Sequence, residues 1–362
     1  MIFNNIYMIE QDFVCTDDFE SNGIVKWNSP SNIALVKYWG KKENQIPQNP
    51  SISFTLSKCY TTTSVEFKPK KNKDSDIIFE FEDELNHPFS QKIKLFISSI
   101  EKYFKFLNNH DILIKSKNNF PHSSGIASSA SAYSALALCF CSLHEQISGQ
   151  ALGMFFQTAS HYARIGSGSA CRSVYGGFNL WGTCNELPDS ANEYAINIDD
   201  LVHPVFKHFQ DTILIVERGK KSVSSTAGHA LLKQHPFAEK RFNIAQQQTG
   251  QLLGILKSGD LAAFIQLVES EAYMLHAMMM TSSTPFMLMK PNTLAIIEKI
   301  IEHRNKTGLH VLFTLDAGAN VHVLYPEAEK AAILPWIQSE LVGYCQNELY
   351  FCNEVGKGPQ SK

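Results

Sequence analysis

A lone carboxylate on a glycine turn, an arginine behind a small-residue loop and lysines beside two aromatic rings are the residues of this chain equipped for chemistry. The carboxylate is Asp316, in Asp316-Ala317-Gly318-Ala319-Asn320. The arginine is Arg172, which closes Gly166-Ser167-Gly168-Ser169-Ala170-Cys171-Arg172. The lysines are Lys37, Lys41 and Lys42, around Tyr38-Trp39-Gly40. Guanidinium matches the planar geometry of carboxylate and phosphate. Two more loops, 119–132 and 219–228, are rich in Ser, Gly and Ala, and the second carries Lys220 and Lys221. In the first, Ser128 or Ser129 sits where a helix should start. Unpaired amides at a helix start, with the dipole behind them, favour phosphate. Taken singly, each feature has a plain alternative: a capped helix, a solvated strand end or a supported turn. Together they are the parts of a phosphoryl-transfer site, with a phosphate cradle, cationic groups and a residue to orient or deprotonate a hydroxyl. Neither G-x-x-x-x-G-K-[ST] nor a G-x-G-x-x-G between strand and helix is present.

Alternation of β-branched and aromatic residues predicts strands over 23–27, 51–56, 61–67, 77–81, 111–116, 174–181, 211–216, 311–315 and 321–324. Helical periodicity covers 91–107, 128–148, 152–163, 293–303 and 238–280, the last broken near Ser258-Gly259-Asp260. A final helix over 328–342 is interrupted at Pro335. The aspartate turn therefore joins two short strands, and the first small-residue loop leads from a strand into a long apolar helix. His276, next to three methionines, reads as core or pocket wall.

A length of 362 residues suggests two domains, with a soft boundary in the polar stretch that ends near 204. The organisation expected is an N-terminal extension over 1–22, a first domain over 23–205 and a second over 206–362. A net charge of −3 gives no reason to expect a nucleic-acid partner. The eight cysteines include no C-x-x-C pair, which argues against a structural zinc site and for reduced thiols in a cytoplasmic protein. No run of about 18 apolar residues marks a membrane span.

The segments Ser31 to Lys41, Asn119 to Ala130, Gly166 to Ser173, Lys220 to Gly228 and Asp316 to Asn320 resemble the signature segments of the diphosphomevalonate decarboxylase family. That family belongs to the superfamily of galactokinase, homoserine kinase, mevalonate kinase and phosphomevalonate kinase. The resemblance implies an α+β fold, with an N-terminal domain like ribosomal protein S5 domain 2, a ferredoxin-like C-terminal domain, and the active site in the cleft between them. It implies ATP-dependent decarboxylation of mevalonate 5-diphosphate to isopentenyl diphosphate, with ATP as co-substrate and Mg²⁺ brought by the nucleotide, in a homodimer. Catalytic roles fall by resemblance to Asp316, Arg172 and Lys37. Substrate contacts fall to Asn32, Tyr38, Trp39, Gly40, Lys41, Ser167, Gly168, Ser169, Ala170, Cys171, Arg172 and Thr226. ATP falls to Pro121, Ser124, Gly125, Ala127, Ser128 and Ser129, with Ser128 or Ser129 near the γ-phosphate or metal. The family's usual His-Ala-x-x-Leu-Asp-Thr is here His276-Ala277-Met278-Met279-Met280-Thr281-Ser282, without the aspartate. The alternatives are a related decarboxylase or 3-kinase acting on mevalonate or its 5-phosphate, and a non-catalytic binding homologue.

Overall fold

The computed structural model describes residues 22–70, 77–85, 87–121, 126–219 and 225–362, with backbone alone for 225–227 and 233. Residues 1–21, Ser124 and Gly125 of the first loop, 220–224 of the second, and the side chain of Thr226 lie outside the described residues.

Two sheets organise the chain. The first contains β1 (Gly23–Ala34), β2 (Ser51–Pro69), β3 (Ile78–Phe81), β4 (Glu84–Leu85), β5 (His110–Asn118), β6 (Phe178–Trp181), β7 (Ala195–Asn197) and β12 (Gln360–Ser361). Its order is β12-β1-β2-β5-β3-β4, with β6 on β2 and β7 on β6. Among the described residues only β3 and β5 run parallel. Helices α1 (Phe89–Ile100), α2 (Ser128–Ser148) and α3 (Phe155–Gly166) share a core with this sheet, Ile97, Leu138, Phe140 and Tyr162 packing with Val65, Phe67 and Ile114. The second sheet contains β8 (Gln210–Leu214), β9 (Leu312–Leu315), β10 (Val321–Tyr325) and β11 (Tyr350–Glu354), in the antiparallel order β11-β8-β10-β9. Around it lie α4 (Ser225–Leu231), α5 (Ala238–Ser258), α6 (Leu261–Met280) and α7 (Pro291–Thr307). Together they form a two-domain α+β fold.

The first two strands are longer than their apolar patterns. β1 continues through Ser29-Pro30-Ser31-Asn32, and its register with β2 shifts between Pro30 and Asn32. Proline is tolerated at such a bulge. The polar side chains there are buried but satisfied: Ser29 Oγ lies 2.6 Å from Ser134 Oγ, and Asn32 Nδ2 donates to Ser173 Oγ at 2.8 Å. The two strands expected at 51–56 and 61–67 are one strand, β2, which pairs with β1, β5 and β6 along its length. The helix expected over 91–107 ends at Ile100, and a separate short turn follows at Phe106–Asn109. Over 174–181 only Phe178–Trp181 is strand, because Gly168–Val174 winds into a 3-10 helix. The 328–342 helix runs from Lys330 to Trp336 and then widens into a π-turn at Ile337–Leu341, directly after Pro335 has removed an amide donor. Strands β11 and β12 have no counterpart in the sequence reading.

An apolar seam joins the two domains. Ile33, Ile52, Phe54 and Phe178 from the first sheet pack with Phe206, Ile213, Leu252 and Phe264 of the second domain. Near the end of the chain, Gly356 donates to the Thr55 carbonyl at 2.7 Å, and its own carbonyl accepts from the Gly177 amide at 2.8 Å. A Cβ at Gly356 would lie 2.7 Å from the Leu56 carbonyl oxygen, so only glycine lets the two backbones pass this closely. The strand β12 beyond it returns to the outer edge of β1.

Candidate active site

Asp316 leaves the end of β9 in a tight turn closed by the Gly318 amide, which donates to the Asp316 carbonyl at 2.7 Å. His276, buried on α6, donates from Nε2 to the same carbonyl at 3.2 Å. The backbone is thus held from two sides while the carboxylate stays about a quarter exposed (26%). It meets Lys37, whose Nζ lies 3.4 Å from Asp316 Oδ1 and also donates to the Ala34 carbonyl at 2.5 Å. Lys37 is only 2% exposed. Burial pushes its ammonium pKa down, against the pull of Asp316 and Glu271.

Arg172 comes from the 3-10 helix after Ser167 and is also 2% exposed. Its Nη1 donates to Ser51 Oγ at 2.6 Å, Nε to Ser53 Oγ at 2.9 Å and Nη2 to Asn32 Oδ1 at 3.4 Å. The guanidinium lies 5.6 Å from the Trp181 ring. All three partners are neutral oxygens, so the charge is oriented by its contacts and not neutralised by them. Burial lowers its pKa, and Asp316 is among the groups that act in the other direction. Lys37, Arg172 and Asp316, spread over 280 positions of sequence, therefore share one electrostatic environment.

The small-residue loops meet here as well. Ser129 Oγ on the first turn of α2 lies 3.4 Å from Ser167 Oγ at the end of α3. Helix α2 starts at Ser128, where the sequence places it. Its N-cap is Ala127, at φ +24° with no side-chain cap, and Ser128 is the first helical residue. The plain alternative of a serine N-cap does not apply, because Ser128 and Ser129 lie inside the helix. Asn32 Nδ2 reaches the Ser169 carbonyl at 3.2 Å. Lys41 Nζ donates to Gln45 Oε1 at 3.0 Å, and Pro121 borders the undescribed part of the loop.

The remaining resemblance residues divide by what they expose. Trp39, Ala170 and Cys171 are buried. Trp39 packs with Leu232, Leu275, Met278 and Met279 of the second domain, and Cys171 Sγ donates to the Gly168 carbonyl at 3.0 Å. Burial pushes the Cys171 thiol up to about 12, so it is not a nucleophile. These residues have backbone, not side chains, to offer a ligand. Tyr38 leans on Trp181, with ring centroids 4.7 Å apart, and its buried hydroxyl has no hydrogen-bond partner among the described residues. A Cβ at Gly168 would fall 2.7 Å from Trp181 Cη2 and 2.8 Å from Tyr38 Oη. Gly168→Ala is therefore expected to displace the Tyr38 ring, costing about 1–3 kcal/mol of stability and about tenfold or more in kcat/KM. Thermal melts and steady-state kinetics on that variant check this, and wild-type values in both would disprove the crowding.

Several residues of the site escaped the sequence reading. Glu271 on α6 accepts the Lys37 amide at 2.8 Å through Oε2, and the same oxygen pairs with Arg241 Nη2 on α5 at 2.7 Å. Both side chains are buried; burial pushes Glu271 up, and Arg241 opposes the shift. Asn49 donates to the Lys37 carbonyl at 3.1 Å. The lysine backbone is thus fixed on both sides. Two carboxylates, Glu269 and Glu271, in the apolar run of α6 were the available signal, since a buried charge needs a partner.

Comparisons with known proteins identify the family of the chain. Residues 29–192 match the diphosphomevalonate decarboxylase-like N-terminal domain, and residues 212–360 match the mevalonate 5-diphosphate decarboxylase C-terminal domain. Diphosphomevalonate decarboxylase of Candida albicans is 31% identical over 318 residues, covering 84% of this chain and 85% of that protein. The mevalonate diphosphate decarboxylase structure from Legionella pneumophila superposes with a TM-score of 0.77 at 28% identity, over 91% of this chain and 100% of that one. The structure of MDDEF in complex with MVAPP, AMPPCP and magnesium superposes at 0.79 with 26% identity, over 94% and 99% of the two chains. Both halves of the molecule, and the way they are joined, place this chain in the diphosphomevalonate decarboxylase family.

Proposed function

We propose that Asp316, Lys37 and Arg172 carry out the reaction of the family, ATP-dependent decarboxylation of mevalonate 5-diphosphate to isopentenyl diphosphate, ADP, phosphate and carbon dioxide. The observation that carries this reading is one partly exposed carboxylate paired with the buried Lys37 and acting electrostatically on the buried Arg172, whose hydrogen bonds among the described residues go to neutral oxygens. Asp316 accepts the proton of the tertiary 3-hydroxyl as its oxygen attacks the γ-phosphorus. Lys37, 3.4 Å away, holds that carboxylate in place and offsets the charge gathering on the transferred group. Arg172 fixes the substrate carboxylate through its fork. The C3–O bond then breaks with its electron pair going to phosphate. Electrons of the bond to the carboxylate form the alkene, and carbon dioxide leaves. Once Asp316 has released that proton to solvent, its restored negative charge favours the cationic carbon in between.

The first turn of α2, with Ser128 and Ser129, is assigned to the nucleotide phosphates, and Tyr38 to Lys41 with Ser167 to Ser169 to the substrate diphosphate. Among the described residues no group of three His, Cys, Asp or Glu side chains is placed to hold a metal. Serine hydroxyls and phosphate oxygens are the hard donors that suit Mg²⁺. When bound with ATP, it neutralises charge on the phosphates. A domain division near 205, a homodimer and a cytoplasmic location are further parts of this reading. The resemblance supports the dimer, and the free cysteines support the location.

A paired assay tests the function. ADP and carbon dioxide are followed together while mevalonate, its 5-phosphate and its 5-diphosphate are supplied separately with MgATP. Equal release of both products from the 5-diphosphate alone is expected. Equal release from the monophosphate would keep the mechanism and change the substrate, and ADP without carbon dioxide would overturn the decarboxylase assignment.

A further inference from the structure

His229 belongs to none of the residues assigned above, yet it lies against the Tyr38–Lys41 segment. It projects from α4, directly after the basic loop 219–228. Its Nδ1 accepts the Gly40 amide proton at 2.9 Å. The ring lies between two others, 4.6 Å from Tyr38 and 4.8 Å from Trp39. Gly228, one residue before it, sits so close under Trp39 that a Cβ would come within 2.5 Å of Cη2. The contact joins the two domains, because Tyr38 leans on Trp181 of the first while Trp39 packs with Leu275 and Met278 of the second.

An imidazole that accepts at Nδ1 is neutral and carries its proton on Nε2. Burial, helped by the nearby Lys41, pushes the His229 pKa down to about 3, so the ring remains an acceptor wherever the enzyme works. Another aromatic residue would fill the space between Tyr38 and Trp39. It would leave the Gly40 amide without its partner, and that amide fixes the chain between Trp39 and Lys41.

We propose that His229 is a positioning residue for binding of the substrate diphosphate. Its bond to the Gly40 amide sets the path of Tyr38–Lys41 and couples it to α4 of the second domain. This rests on the assignment of Tyr38 to Lys41 to the diphosphate end of the substrate.

The test compares His229→Leu with His229→Asn. Both remove the ring, but the asparagine Oδ1 can replace Nδ1 as acceptor. Leucine should raise KM for mevalonate 5-diphosphate about tenfold, the order expected for a lost hydrogen bond that leaves a donor unpaired. KM for ATP and kcat should stay within about twofold. Asparagine should bring KM back to within about threefold of wild type. The proposal is overturned if the two variants behave alike, if both KM values rise together, or if only the melting temperature falls. Calorimetric titration with inorganic pyrophosphate reads the same segment without turnover. Should the wild type fail to convert mevalonate 5-diphosphate, the reaction assignment fails. Selective weakening of pyrophosphate binding in the leucine variant would still uphold the role of His229, and equal binding by both variants would overturn it.

Discussion

Asp316→Asn is expected to bind both substrates and to lose about three orders of magnitude or more in kcat, within the range that a positioned acid–base group contributes. Asparagine has nearly the same shape, and the turn does not depend on the carboxylate, because its hydrogen bonds from Gly318 and His276 go to the Asp316 carbonyl. What disappears is the proton acceptor and the negative charge beside Lys37. Burial already pulls the Lys37 pKa down, and Asp316 is the largest influence against it. The substitution therefore also moves Lys37 towards its neutral form, so proton acceptance and charge compensation fail together. Equilibrium binding of the two substrates, measured beside single-turnover phosphoryl transfer, separates these effects from loss of affinity. A kcat within tenfold of wild type would remove Asp316 from its role.

The second large effect is expected at Arg172. Arg172→Lys keeps the charge but not the fork. Three nitrogens of the guanidinium are directed by Ser51, Ser53 and Asn32, and a lysine has one nitrogen to divide among them. The ammonium can reach one hydroxyl or the substrate carboxylate, not both sets. kcat/KM for the diphosphate substrate should fall about 100-fold or more, as for a lost charge-assisted bidentate contact. KM for ATP should change little. Unchanged kinetics with a lowered melting temperature would make Arg172 a support for β2 and nothing more.

The parts of the site that were legible in the sequence are those with a backbone signature. The turn at Asp316, the glycine-spaced serines before Arg172 and the helix after the first loop leave marks in local composition. Side chains that act through packing leave none. Glu271 and Arg241 stand among other charges in their helices, and their pairing behind Lys37 follows only once α5 and α6 are brought together. His229 is one residue past a motif, and its contact with Gly40 crosses 189 positions of sequence. The same physics misdirected the strand boundaries. Ser29, Ser31 and Asn32 look like a loop because polar residues interrupt the alternation. They remain in β1 because α2 and the turn before Val174 supply partners for them. Functional residues violate the pattern of the element that holds them, and the violation is made good elsewhere in the fold.

The glycine crossing at 355–358 gives the two domains a second joint. A chain that left the first sheet once, through the residues before β8, would leave the second domain free to swing and twist about one flexible link. Here the chain also comes back, and Thr55, Gly177 and Gly356 are stitched backbone to backbone. To displace one half against the other, these bonds have to break together with the apolar seam, so Asp316 on one half and Arg172 on the other are held in register by two separate attachments.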